Sequence, residues 1–265
     1  MRKLIIFFIL LTMSFAACDF TMPQLTQNGS ADSIKILRYD RVESRYLTTG
    51  DFSALQEMNI DYPTETRALI EDLLKLGSVS EANINKKLLN FYQDSTLQNV
   101  IYAAENEFAD MSDLNEQLQK AFLKLKKELP NMEMPTFYAQ IGSFDQSIVV
   151  DDKAIGISLD KYLGADYPTY KRFYDESQRE TMTREYIIPD CIVFYLLSQY
   201  PLKNFETHSQ YDRDIHLAKL FWISNHVTEK ELLSTSYVKK IDKYMEKHPK
   251  TTIEELLKLK SNYLL

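Results

Sequence analysis

The sequence predicts a mainly α protein with a small antiparallel β-hairpin or sheet, an α+β body of helices around one buried central helix. Three observations carry this. Amphipathic helical patterns follow one another from Arg67 to the C-terminus. The convincing strand signals, β-branched and aromatic, are confined to residues 137–159. With 17 Tyr and 14 Phe against 6 Gly in 265 residues, the composition favours aromatic packing between helices over a glycine-rich sandwich.

The first residues set the compartment. Arg2 and Lys3 precede an apolar run from Leu4 to Met13, and Phe15-Ala16-Ala17 leads into Cys18. Such a run is too short to span a bilayer and reads as a cleaved signal over residues 1–17. The small residues before Cys18 resemble a bacterial lipoprotein signal, in which the cysteine takes the lipid. Residues 18–33 are polar, carry Pro23 and Gly29 and lack periodicity, so they read as a flexible tether. A single mostly helical domain is expected over residues 34–265. Losing Arg2 and Lys3 makes the formal charge of -7 two units more negative. That balance argues against nucleic acid and against electrostatic adhesion to anionic lipid. Cys191 then has no thiol partner and reads as a buried hydrophobe.

Residues 34–46 alternate imperfectly and fit a short strand or a loose helix, with Asp40, Arg41, Glu43 and Arg45 as a solvated face. Arg67 to Leu76 stacks Leu69, Leu73 and Leu76 on one stripe, and Asn85 to Tyr92 supplies a second short helix. Ser95 or Thr96 can cap a third. Asp113 to Leu129 is the clearest amphipathic helix, with Leu114, Leu118, Ala121, Leu125 and Leu129 inward, and Pro130 ends it.

Phe137 to Ile141 reads as a strand, while Ser147 to Val150 and Ala154 to Leu159 flank Asp151-Asp152-Lys153 as a β-hairpin with a polar turn. Gly156 inside the second strand signals a close backbone approach or a bulge. Asp160 to Tyr170 is loop. Tyr162, Tyr167, Tyr170 and Tyr174 either line a groove for sugar or peptide or pin that loop to the core. Gln178 to Tyr186 is polar and helix-competent, with Glu180 and Arg184 as an i,i+4 pair. Pro189 suits the first helical position, with Ile188 extended before it. Asp190 to Gln199 follows as a helix apolar nearly all round, which should be central, with Asp190 capping its first turn. Tyr211 to His226 makes another apolar helix. Thr228 with Glu231 and Thr251 with Glu254 fit capping boxes of later short helices, Tyr237 to Lys247 and Ile253 to Leu264.

Chemistry-bearing motifs are scarce. There is no HExxH, and His208, His216, His226 and His248 show no i,i+3 or i,i+4 pairing, so neither a metal nor another cofactor is expected. There is no G-x-S-x-G and no phosphate loop. A carboxylate pair drawn from Asp160, Glu176, Glu185 and Asp190 is the remaining hydrolytic option.

Two segments carry a resemblance. Ile155-Gly156, Asp160 and Tyr162-Leu163-Gly164, followed by Arg179, Met182, Glu185-Tyr186-Ile187 and Pro189-Asp190, resemble the gliding motility-associated lipoprotein family GldB of the Bacteroidota. The resemblance implies an envelope lipoprotein, lipid-anchored in the outer membrane and facing periplasm or surface, which in gliding species serves surface motility and type IX secretion. It makes Asp160, Arg179, Glu185 and Asp190 signature polar residues, and it implies partners among envelope proteins. It also implies distant kinship with predicted zinc peptidases, whose hairpin precedes an HExxH helix. Here that place reads PDCIVFYLL, a zincin-like scaffold without its metal. Thr251 to Leu265, helical in pattern, departs from the family's terminal segment. Three functions follow: a non-catalytic accessory or scaffolding lipoprotein, a glycan- or peptide-binding lipoprotein using the tyrosines, or a carboxylate hydrolase.

Overall fold

Local chain chemistry explains most of the helices of the computed structural model. It describes residues 34–264 with Asp152 excepted, so the expected signal peptide, Cys18 and the tether lie outside the described residues. The 34–46 segment is both of the things its pattern allowed: a two-residue strand, β1 (Ile36–Leu37), and helix α1 (Tyr39–Thr49). Gly50, at φ 68°, adopts the left-handed conformation that ends α1 and donates its N–H to Tyr46 O. Helix α2 (Phe52–Ile60) opens on Asp51, whose carboxylate accepts from Ser53 N. Helix α3 (Pro63–Arg67) begins at a proline and runs on as a π-helical turn over Ala68–Leu73.

Helices α4 (Ile84–Phe91), α5 (Ser95–Glu107) and α6 (Ser112–Glu128) match the predicted run within one or two residues. The cap of α5 is Asp94 rather than Ser95 or Thr96, because its side chain accepts from both Thr96 N and Leu97 N. Leu114, Leu118, Ala121 and Leu125 are buried along α6, as their spacing requires.

Strands β2 (Thr136–Gln140), β3 (Ile148–Val150) and β4 (Ala154–Ser158) complete a four-stranded sheet of order β1-β2-β4-β3. It is mixed, which corrects the antiparallel expectation. The β3–β4 hairpin is antiparallel, but β2 pairs in parallel with both β1 and β4, with Phe137 opposite Ile155 and Ala139 opposite Ile157. A parallel β1–β2 pair needs a long crossover, and α1 to α6 supply it. At Gly156 the close neighbour is a side chain rather than a backbone or a bulge. A Cβ there would lie 2.6 Å from Cζ and the hydroxyl of Tyr138.

After the sheet come two single-turn helices, α7 (Tyr170–Phe173) and α8 (Glu176–Arg179), then α9 (Ile187–Gln199). The helix-competent stretch 178–186 is broken rather than continuous: Gln178 and Arg179 end α8, residues 180–183 turn, and Arg184–Tyr186 form a 3-10 turn, with Arg184 pairing not with Glu180 but with Asp113 at 2.6 Å. α9 starts two residues before Pro189, so Ile188 is helical and the proline falls in the first turn, where its missing N–H costs no hydrogen bond. α9 packs on α6, β3, β4 and α10 (Gln210–Thr228), yet Phe194 and Leu197 remain 38% exposed, so its apolar circumference is not wholly enclosed.

The last helices are α11 (Ser236–Lys247) and α12 (Ile253–Lys258). Thr228 and Glu231 form no capping box, since Thr228 is the last residue of α10 and bonds back to Ser224 O. Thr235 caps α11 instead, and the second box is Thr252 with Glu255, one residue beyond the expected pair. One hydrophobic cluster joins residues from β1 to Leu264.

Candidate functional site

The C-terminal ends of β2 and β4 place a set of polar groups inside this core. Asp160 follows β4 and is fully buried. Its Oδ1 accepts from Gly142 N at 2.6 Å and its Oδ2 from Phe144 N at 2.8 Å. Phe144 sits at φ 66°, so the carboxylate holds a turn that a non-glycine residue adopts at a cost. The Asp160 carbonyl accepts in turn from the Tyr170 hydroxyl. Burial pushes the Asp160 carboxyl up from its ordinary value against the pull of those two N–H groups.

Glu43 of α1 lies in the same interior. Its Oε2 accepts from Ile141 N at 2.8 Å, and burial, opposed by that bond, holds its carboxyl well above the carboxylate range. Asp40 is buried as well, bound by both Nε and Nη2 of Arg38 at 2.8 Å. Two of the four charges expected on a solvated face are thus core residues. Helical spacing puts 40 and 43 on the side where Tyr39, Val42 and Tyr46 are also buried, a stripe visible only once α1 is known to be a helix.

The four signature residues lie in four separate settings. Asp160 is sealed. Arg179 donates from Nη1 to Ala165 O at 2.8 Å, while its buried Nε has no partner among the described residues. Glu185 is exposed. Asp190 lies in the first turn of α9 but caps nothing; its Oδ2 accepts from the Tyr162 hydroxyl at 2.7 Å. Among the described residues, no ion pair joins Arg179, Glu185 and Asp190.

The tyrosines divide similarly. Tyr162 and Tyr170 are buried and present no ring to solvent, while Tyr167 and Tyr174 are half-buried and meet Tyr170 edge-on at 5.0 and 5.9 Å. The four rings largely fasten residues 160–174 to the body, the second of the two arrangements their spacing allowed.

A pocket of about 250 Å3 gathers Ser147, Lys161, Tyr162, Tyr174, Gln178, Thr181, Met182 and Asp190. Ser147 and Tyr162 line the pocket together, and the Tyr162 hydroxyl donates to Asp190 Oδ2 at 2.7 Å. Burial, partly offset by the Tyr162 bond, raises the Asp190 carboxyl to about 6. Lys161 occupies another side: its Nζ donates to Phe144 O at 3.1 Å and to the Tyr174 hydroxyl at 3.2 Å, and lies 4.6 Å from the centre of that ring. Sequence reasoning missed Ser147, Lys161, Thr181 and Met182 as neighbours. Only the signature spacing pointed at Met182.

This pocket is poorly equipped for hydrolysis by two carboxylates. Asp190 is the one carboxylate in its lining, since both oxygens of Asp160 are occupied and Glu185 lies outside. Cys191 is buried, and desolvation with the adjacent Asp190 holds its thiol far above its ordinary value. A cavity of about 460 Å3 is lined by Trp222, His226 and Asp242 among others. Its Trp222 ring stacks on His226 and donates to Asp242 at 3.0 Å, and Glu229 pairs with Lys120 and Lys124. Among the described residues no group of three His, Cys, Asp or Glu is placed to hold a metal ion, and no helix is long and apolar enough to cross a membrane.

Fold and site together describe a helical body with a small mixed sheet and a small pocket at the start of helix α9. The family described as Gliding motility protein GldB matches residues 24–236, and the chain belongs to that family of lipoproteins. The match includes the sheet, the pocket and α9, and ends where α11 begins. No curated protein and no solved structure matches the chain. Membership places it among non-catalytic envelope lipoproteins of the gliding-motility class.

Proposed function

We propose that the chain is an accessory or scaffolding component of the cell envelope, tethered to the outer membrane through lipid on Cys18, whose folded body engages other envelope proteins. The observation that carries this reading is the family match over residues 24–236. The pocket is consistent with it, because its lone carboxylate is already hydrogen-bonded to Tyr162 and lacks the second group that hydrolysis would need. Asp160 and Arg179 act as structural ties for the 142–144 turn and for the loop at Ala165.

The test has two arms. Labelling cells with an alkyne fatty acid should tag the wild-type chain and not Cys18→Ser, and the variant should leave the membrane fraction. Crosslinking in cells should capture the wild-type chain with envelope proteins, and deletion should disturb the complexes so captured. A chain that sediments with membranes regardless of Cys18, or a deletion that leaves every envelope complex intact with nothing captured, would overturn the proposal.

A further inference from the structure

The single tryptophan of the sequence lines the cavity of about 460 Å3 that α6, α10 and α11 enclose with the loop after α10. That volume lies in the range of small-molecule sites. Trp222 and His226 stand four apart on α10, so their rings share a side of the helix. The imidazole lies nearly parallel to the indole, with 7° between the planes and 5.1 Å between the centres, and so covers at most one of its two faces. The indole is half-buried, and its Nε1 donates to Asp242 Oδ1 of α11 at 3.0 Å, a bond that fixes the plane of the ring. Val238 and Ile241, both buried, hold α11 in place on the same body.

The polar lining divides into groups that are tied and groups that are free. Lys124 donates to His226 O at 2.8 Å and pairs with Glu229 at 3.3 Å, while Lys230 donates to Gln117 at 2.7 Å. By contrast Glu231, Ser234 and Lys239 are exposed, and among the described residues their side chains have no hydrogen bond or ion pair; nor has Oδ2 of Asp242. The free set thus offers two carboxylate acceptors, a hydroxyl and an ammonium donor. Three lysines, Lys124, Lys230 and Lys239, face three acids, Glu229, Glu231 and Asp242, so the lining carries no net charge to select an anion or a cation. His226 lies 3.7 Å from Glu128, outside that balance. The apolar lining is Trp222 and Val238, too little to hold a hydrocarbon chain. An aromatic face beside free donors and acceptors, without net charge, is complementary to a neutral ring that carries hydroxyls at its edge and C–H groups on its face. A pyranose has that form.

We propose that this cavity is a binding site for a neutral saccharide, one sugar ring of which lies against the indole of Trp222 while its hydroxyls bond Glu231, Ser234, Lys239 and Asp242. The bond from Trp222 to Asp242 sets the platform in advance, which lowers the ordering cost of binding. The cavity takes Val238, Lys239 and Asp242 from beyond the matched residues 24–236, so family membership does not imply it. The proposal goes beyond the scaffolding role and does not depend on it.

Because Trp222 is the one tryptophan, emission excited at the red edge of absorption, where tyrosine is silent, reports on this cavity. The full chain in detergent micelles is titrated with maltotriose, cellotriose, mannotriose and N-acetylchitotriose. Glycerol, cyclohexanol and a blocked neutral tripeptide of serine and glycine are the comparison ligands. At least one trisaccharide should give a saturable change with a Kd of about 1 mM or tighter, and the comparison ligands should give none. Calorimetry, which needs no fluorophore, should find that saccharide bound about 10-fold more weakly by Trp222→Leu and about 5-fold more weakly by Lys239→Met, a substitution at an exposed position. Exposed Glu185→Gln, outside the cavity, should bind as wild type does. No saturable change with any trisaccharide at tens of millimolar, an equal response to glycerol or cyclohexanol, or tighter binding of the peptide would each overturn the proposal. So would an affinity unchanged in either Trp222→Leu or Lys239→Met. Capture of envelope proteins in cells alongside a failed titration would refute the saccharide site and leave the scaffolding role standing.

Discussion

Replacing Asp190 by Asn should stabilise the protein at neutral pH and do little in acid. In the folded state the carboxyl is raised from 3.8 to about 6, with burial as the main cause. The folded protein therefore holds this proton more tightly than the unfolded chain does. The resulting stability is present below pH 4 and is lost as pH rises through about 6. A gap of about two pH units corresponds to a ceiling of about 3 kcal/mol at 1.36 kcal/mol per unit. Asp190 is half-buried, so solvent screening reduces the expected effect to about 1–2 kcal/mol. Asn keeps the shape and the carbonyl oxygen that accepts from Tyr162, and it does not ionise. Urea unfolding of wild type and Asp190→Asn at pH 4 and pH 7.5 reads the effect directly. The variant should be within about 0.5 kcal/mol of wild type at pH 4 and about 1–2 kcal/mol more stable at pH 7.5. Exposed Glu185→Gln serves as the control and should differ by less than about 0.5 kcal/mol at both. Parallel stability curves, or a variant weaker than wild type at pH 7.5, would refute the assignment of Asp190 as a desolvated acid.

Three further outcomes follow from the packing. Asp160→Ala leaves the N–H groups of Gly142 and Phe144 without their acceptor and should cost about 2–5 kcal/mol in denaturant unfolding, with Asp160→Asn between the two; a loss under about 0.5 kcal/mol would show that water replaces the carboxylate. Gly156→Ala drives a methyl into the buried Tyr138 ring and should cost about 1–3 kcal/mol, so an unchanged melting midpoint would contradict the strand register. Cys191 should react with an aromatic disulfide reagent only on unfolding, and rapid labelling of the native chain would contradict its burial.

Much of the fold was legible because it is written at short range. The α6 stripe, the β3–β4 hairpin and the apolar run of α9 each follow from spacing within a dozen residues. Helix boundaries drifted where two capping residues competed: Asp94 against Ser95, and Thr252 against Thr251. The helix-competent stretch 178–186 forms only its two ends as helical turns, and Arg184 finds Asp113, about seventy residues away, a partner that local periodicity cannot register. The site was less legible. Asp160 and Asp190 are both acids of the signature, yet one ties down a turn and the other lines a pocket, and the difference lies in which backbone groups come near each.

The sequence by itself determined the class: the helical majority, one small β element, and the two signatures that led to the family. These depend on residue type and on periods of two and 3.6, which a linear string carries. Only the tertiary structure decided that β2 runs parallel to β1 and β4, that Glu43 and Asp40 are interior, and that the tyrosine loop is mostly core. It also decided that Asp190, Tyr162 and Ser147 line one pocket. Those facts depend on groups far apart in the chain, brought together by burial of a shared apolar surface, and burial in turn sets which carboxylates keep their ordinary charge.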